Sequence, residues 1–449
     1  MRQSPKFVAR YSHENTRLEY MSGPTGNKPI PNRPIGNRPK VVILGGGFGG
    51  LTAARALDSF ADVTLIDRHN FQTFLPLLYQ VSTAGLAGDH VAYPIRGALR
   101  KTQVDFRMGS PISIDHKNKT VKLDSSEVFS FDYLIVAMGS ITNDFSIPGV
   151  SEFALGMKTV TEALHIRSEI MRHFEELCRF HNDRSRDKST EELTISVVGG
   201  GPTGVEMAGA IAELIRGPLT LDNPNAARCI RVALIEAGPR LLPTMSPQNS
   251  LRALRDLEKL GVKIYLDTAV KEIDAQSITF KTGPAIKSGV TIWAAGVKGE
   301  SAMKNLNVPH ERDRISVDQS LQVTNYPHIF AIGDIAGAKD ANGRFLPMIA
   351  PVAMQQGRFV AQQIKRLISG KNPAFFKYRD KGAMATIGRH KAVVEVKGLR
   401  IGGAIAWYMW LWLHLFYLLG GRNKIGTMAD WTWNYLTFDR GNRHIMDIS

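Results

Sequence analysis

Cysteine is almost missing from this sequence: Cys178 and Cys229 are the only two in 449 residues. They lie far apart, with no C-x-x-C or metal-ligand spacing. No disulfide framework is expected, and the chain reads as one from a reducing compartment. No apolar stretch reaches the roughly 20 residues that a bilayer-crossing helix needs. The longest, Ala404 to Leu419, holds 16 residues, about 24 Å of helix. The first residues contain no apolar segment of the kind a secretory signal requires. No Ser/His/Asp pattern or metal cluster emerges from the 12 scattered histidines. Acidic charge is also short, leaving a formal net charge of +15.

That excess is uneven. Residues 371–449 carry 12 Lys/Arg against 5 Asp/Glu. Nucleic acid and anionic lipid are the two partners such charge attracts. Residues 1–39 scatter Arg2, Lys6, Arg10, Arg17, Lys28, Arg33 and Arg38 through Pro-, Gly- and Asn-containing sequence with few acids. They read as a disordered basic tail, with a mitochondrial transit peptide as the alternative.

The strongest positive signal is Val41-Val42-Ile43-Leu44-Gly45-Gly46-Gly47-Phe48-Gly49-Gly50. A buried parallel strand runs into G-x-G-x-x-G (Gly45, Gly47, Gly50), and a helix follows from Leu51. The first glycine serves the tight turn, the second the close approach to a pyrophosphate, the third the contact between helix and strand. The helix N-terminus then offers free N–H groups to phosphate. A second strand, Val63 to Ile66, ends in Asp67, 22 residues past Gly45, where a carboxylate meets an adenosine ribose. Arg68 to Val81, aromatic and apolar but broken by Pro76, either wraps a flat ligand or is plain core. Val104 to Met108 and Thr120 to Leu123 suggest a meander turning near Lys117-Asn118. Tyr133 to Gly139 is another buried strand, its small end letting the chain pass a dinucleotide.

The plan then repeats. A helix over 158–180 and a charged loop over 181–192 lead to strand Thr194 to Val198. Gly199, Gly201 and Gly204 form a second G-x-G-x-x-G before another helix. Strand Val232 to Ile235 ends in Glu236, an acid that favours NAD over NADP. A helix over Leu251 to Leu260 and a strand ending at Gly296 close this half. Two copies of one plan imply two nucleotides, the arrangement a hydride relay from NAD to flavin needs. Asp334, after the strand His328 to Ile332, is placed to bond a ribityl hydroxyl. A helix opening at Pro351 presents its first turn to the flavin's polar edge.

With these motifs the chain resembles the two-dinucleotide-binding-domain flavoproteins. Within them it is most similar to the type II NADH dehydrogenases, single-subunit NADH:quinone oxidoreductases. The matching stretches include Asn70 to Gln80, Ala137-Met138-Gly139, Gly199 to Ala210, Ala294-Ala295-Gly296, Ala331 to Asp334, Ala350 to Gly357 and Phe376 to Gly388. The resemblance implies an α/β fold with two Rossmann-like domains and a C-terminal amphipathic membrane-anchoring region. Its parts would be an FAD-binding domain at 40–157 and 311–380, an NADH-binding domain at 158–310 and a membrane-associating region at 381–449. FAD would lie on Gly45, Gly46, Gly47, Phe48, Gly49 and Gly50, with Asp67 and Arg68 at its adenosine, Gly139 beside it and Asp334 on the ribityl chain. Val352, Ala353 and Lys381 would surround its ring. NADH would use Gly199, Gly201, Gly204, Glu236 and Gly296.

Glu206 matches the acid that the family places near nicotinamide and flavin, although an acid is favoured in a first helical turn anyway. Lys381 would stabilise charge on the reduced ring; a solvated loop lysine is the alternative. Gln355 matches a quinone-pocket glutamine. The family's usual A-Q-x-A-x-Q has Pro351 in place of its first glutamine here, which leaves Gln355 to carry that assignment.

The 404–419 run holds three Trp and two Tyr, with Arg422, Lys424, Arg440 and Arg443 beyond it. An apolar-aromatic helix flanked by cations reads as an interfacial anchor. This decides for lipid over nucleic acid, with a homodimer interface as the other use of that face. The expectation is a peripheral, non-pumping NADH:quinone oxidoreductase on the cytoplasmic face of the inner (cell) membrane, or the mitochondrial inner membrane if the tail is a transit peptide. Sulfide:quinone oxidoreductase and a redox-sensing binding flavoprotein are the rivals. The first needs cysteines near the flavin.

Overall fold

Four apolar residues in a row need cover on both faces, and Lys40–Leu44 finds it at the centre of a parallel sheet. In the computed structural model, which describes residues 38–182 and 192–446, six strands lie in the order Gln322–Val323, Tyr326–Ala331, Tyr133–Val136, Lys40–Leu44, Asp62–Asp67, Asp105–Met108. Only the edge strand Gln322–Val323 is antiparallel. A second sheet is parallel throughout: Ala154–Leu155, Val290–Trp293, Leu193–Val198, Ile230–Ile235, Val262–Tyr265. Its last four strands repeat the order of the first sheet: closing strand, glycine-loop strand, acid-bearing strand, outer strand. An antiparallel ribbon, Ser140–Thr142 with Val297–Gly299, connects the chain segments that leave the two sheets.

In each half a three-stranded meander lies between the outer strand and the closing strand, Pro111–Asp115 to Val128–Ser130 and Val270–Ile273 to Ile286–Lys287. This corrects one expectation. Asp105–Met108 belongs to the main sheet, in parallel register with Asp62–Asp67, and Thr120–Leu123 pairs instead with Pro111–Asp115. Alternation reveals a strand but not its partner. The turn at Lys117-Asn118 is present, with the Asp115 carboxylate accepting from both backbone N–H groups. The helix expected from Leu251 starts earlier, at Pro247 behind Ser246, through the polar residues Gln248, Asn249 and Ser250. The expected tail lies almost wholly outside the described residues, as does most of the charged loop over 181–192.

The helix Ala350–Ile368 lies against the first-loop helix Phe48–Leu57. Gly357 permits this, since a Cβ on it would sit 2.5 Å from the Gly49 carbonyl oxygen. The region from 381, expected to associate with a membrane, opens with a sheet. Ala383–Gly388, Lys391–Val396 and Leu399–Gly402 form an antiparallel sheet seated on the second-loop helix Pro202–Leu214. At Gly209 the helix backbone meets the Ile387 carbonyl, which a Cβ there would overlap. Helices Ala404–Tyr417 and Gly421–Thr437 complete the chain.

Candidate functional site

The two glycine loops open on one continuous cavity of about 2760 Å³. Gly45 and Gly199 hold φ of +109° and +116°, and a Cβ on either would collide with the chain at Ala137 or Ala294. Gly50 and Gly204 do not line the cavity. Each keeps helix and strand in contact, since a Cβ there would overlap the Gly45 or Gly199 carbonyl oxygen. Gly47 and Gly201 differ: nothing lies within 4 Å of the position their Cβ would take, and both border the cavity. Space held open over backbone at the foot of two helix N-termini fits two pyrophosphates.

The two acids are held alike. Asp67 accepts from Gly46 N–H at 2.6 Å and His69 N–H at 2.8 Å. Glu236 accepts from Gly200 N–H at 2.5 Å and Gly238 N–H at 2.7 Å. Both carboxylates border the cavity beside their own loop. Phe48, Gly49, Arg68, Gly139, Gly296, Asp334, Ala353 and Lys381 also line it. Arg68 pairs with Glu300 at 2.9 Å; Lys381 is exposed at the rim.

Two more expected residues, besides Gly50 and Gly204, lie off the lining. Val352 is buried in the core of the first sheet's helical layer, because that side of its helix faces Phe48–Leu57. Gln355 uses both ends of its amide on Arg379, donating to its carbonyl and accepting from its N–H, each at 3.0 Å. It fastens the helix to the following segment, outside the cavity lining.

Glu206 is the most perturbed acid. Burial pushes its carboxyl up to about 8, despite donors from Thr386 N–H at 3.3 Å and Trp410 Nε1–H at 3.1 Å. It borders the main cavity and also a second one of about 410 Å³, lined by Tyr79, Gln80, Glu213, Trp431 and Arg440 among others. Tyr79 is raised well above its usual range, by burial and then by the neighbouring Glu206.

Three groups escaped the sequence reading. Lys158 donates to Ser140 Oγ at 2.9 Å, and Ser140 donates to Asp334 at 2.5 Å. Burial lowers the Lys158 pKa, yet no local pattern marks this lysine. Trp410, 1% exposed, and His414 one turn later form the inner face of Ala404–Tyr417. A histidine inside an otherwise apolar helix was the available signal.

The C-terminal cations are less free than their sequence suggested. Arg422 pairs with Asp89, Arg440 with Glu213 and Arg443 with Asp222. Ile405, Trp412 and Phe416 instead present a bare apolar face, at 67%, 73% and 66% exposure. Among the described residues no helix is long and apolar enough to cross a membrane.

Residues 39–357 match the pyridine nucleotide-disulphide oxidoreductase family and residues 381–440 the NDH2 C-terminal domain. The chain is 38% identical over 433 residues to the type II NADH:quinone oxidoreductase Ndh of Mycobacterium tuberculosis, covering 91% of this chain and 90% of that one. It is 31% identical to the type II NADH:quinone oxidoreductase of Staphylococcus aureus, covering 82% and 92%. In fold it resembles NDH2 of Plasmodium falciparum solved with NADH, with a TM-score of 0.83 at 22% identity over 92% of this chain and 100% of that one. Sulfide:quinone oxidoreductase of Aquifex aeolicus scores 0.69 at 17% identity, over 89% and 95%.

Proposed function

The chain belongs to the type II NADH:quinone oxidoreductases, and from that membership we propose how its residues share the work. The enzyme oxidises NADH, reduces a quinone and carries FAD. The observation that carries the residue-level reading is the single cavity bordered by both glycine loops and by Glu206. FAD would rest on Gly45 to Gly49 with Asp67 and Arg68 at its adenosine, Gly139 alongside, Asp334 on the ribityl chain, and Ala353 and Lys381 near the ring. NADH would rest on Gly199 and Gly201, with Gly204 holding helix to strand behind them, its ribose on Glu236 and Gly296 beside it.

FAD, when bound, accepts a hydride from the nicotinamide and passes two electrons on to the quinone. The chain's own groups orient, enclose and manage protons. Glu206 holds a proton at its carboxyl at neutral pH, where a reduced acceptor needs one. Ser140 and Lys158 fix the Asp334 carboxylate. Donor and acceptor meet in one cavity, and the reading includes no proton translocation.

The family is membrane-associated, and we assign lipid contact to the outer face of Ala404–Tyr417, on the cytoplasmic side of the inner (cell) membrane. A second copy of the chain is the other occupant that face admits. The sulfide reading is disfavoured because neither Cys178 nor Cys229 lines the cavity. Steady-state turnover of purified enzyme with NADH and NADPH against several soluble quinones is the test. NADH consumption without quinone reduction would sink the reading.

A further inference from the structure

A ring path leads from the first glycine loop toward Glu206. Phe48 meets Phe74 edge-on at 5.8 Å, Phe74 meets His414 at 6.2 Å, and His414 stacks on Trp410 at 3.9 Å. Trp410 then donates to Glu206. Met409, Leu413, His414 and Tyr417 are the part of the main cavity's lining that Ala404–Tyr417 supplies, and Ile405, Trp412 and Phe416 of the same helix are exposed. His414 is the polar exception among these apolar and phenolic side chains.

Its chemistry is fixed by two contacts. Nδ1 lies 2.7 Å from the Trp410 carbonyl oxygen, an atom that only accepts, so Nδ1 carries the hydrogen. Burial lowers the imidazole's pKa to about 4, which leaves Nε2 without a proton at neutral pH. Among the described residues no group bonds Nε2. The ring therefore offers this part of the cavity a lone pair and no donor. A quinone carbonyl, itself only an acceptor, gains nothing from it. A hydroquinone hydroxyl does.

We infer that His414 Nε2 is the acceptor for a hydroxyl of the reduced quinone, so that this part of the cavity holds hydroquinone more tightly than quinone. The inference rests on the quinone reading above and names the group that distinguishes the two redox forms of its substrate. The stack on Trp410 orients the ring, and the Trp410 carbonyl sets its tautomer.

The test uses FAD-loaded enzyme under anaerobic conditions, with menadione as acceptor and menadiol as product inhibitor. His414→Phe keeps the stack and removes the lone pair. Its inhibition constant for menadiol should rise about fivefold, the loss of one neutral hydrogen bond, while the KM for menadione moves less than about twofold. His414→Gln, whose amide oxygen accepts, should bring the menadiol constant back to within about twofold of wild type. An unchanged menadiol constant in His414→Phe overturns the inference. So does a parallel rise of both constants in the two variants, which marks lost shape instead of a lost acceptor. If wild-type enzyme reduces no quinone at all, the parent reading falls first and takes this one with it.

Discussion

Glu206 makes a prediction that can be worked from its surroundings. Its carboxyl goes from an ordinary value of 4.5 to about 8 in the folded protein because burial penalises the charge. An acid raised on folding keeps a proton that the unfolded chain releases. The folded state is therefore unpenalised below about pH 4.5, loses stability through the interval up to about pH 8, and levels off above it. The slope is about 1.4 kcal/mol per pH unit and the full penalty about 5 kcal/mol. Water reaching the carboxyl from either cavity makes that an upper value. Glu206→Gln is neutral at every pH, and its amide oxygen can still accept from Trp410 and Thr386. Thermal unfolding of FAD-loaded wild type and Glu206→Gln should thus nearly coincide near pH 5 and diverge as pH rises. For a chain of this size about 1 °C corresponds to 1 kcal/mol, so the variant should melt about 5 °C higher at pH 9. A constant offset between the two curves at all pH values would refute a proton held by burial at this site.

The two kinds of loop glycine should separate cleanly. Gly47→Ala puts a methyl into open cavity and should leave the fold intact while FAD content falls sharply. Gly50→Ala drives a methyl into the Gly45 carbonyl and should lose about 3 kcal/mol or fail to fold; equal FAD loss with equal stability in both would contradict the division of labour. Glu236→Ser removes the carboxylate held by Gly200 and Gly238, and the preference for NADH over NADPH should narrow about tenfold, read as the ratio of kcat/KM values. Replacing Trp412 and Phe416 together by Ser should release the protein from phospholipid vesicles in sedimentation while soluble-quinone turnover persists. With Arg422, Arg440 and Arg443 already paired, wild-type sedimentation should weaken little between 0.1 and about 0.5 M salt; strong salt dependence would return the attachment to charge.

Much of the first-level plan could be read from residues alone, because its signals are local. The loops at Gly45 and Gly199 and the acids at Asp67 and Glu236 follow from strand, turn and helix chemistry within about 40 residues, and the closing strands at Tyr133 and Val290 from their own apolar runs. What escaped was set by distant partners. Asp105–Met108 was recognisable as a strand, but its neighbour is Asp62–Asp67. Gln355 has the type and position of a pocket residue, yet Arg379, 24 residues on, takes its amide. Arg440 looked like a membrane cation until the fold set Glu213 beside it. Lys158 acquired its meaning only when Ser140, on a ribbon strand, and Asp334, in the turn after Tyr326–Ala331, converged on it.

The helix Ala404–Tyr417 has a practical consequence for anyone who wants this enzyme in water. Its outer side carries the bare Ile405, Trp412 and Phe416, while its inner side supplies Trp410 to Glu206 and His414 to the cavity wall. Trimming the chain before residue 404 would unwall the reaction chamber, and trimming before 383 would also strip the sheet from the helix at Gly209. A detergent-free form has to be reached by repainting, with polar residues at 405, 412 and 416 and the inner residues untouched. The proposed lipid contact and the cavity wall occupy opposite sides of fourteen residues, so the apolar face cannot be cut off without taking part of the cavity with it.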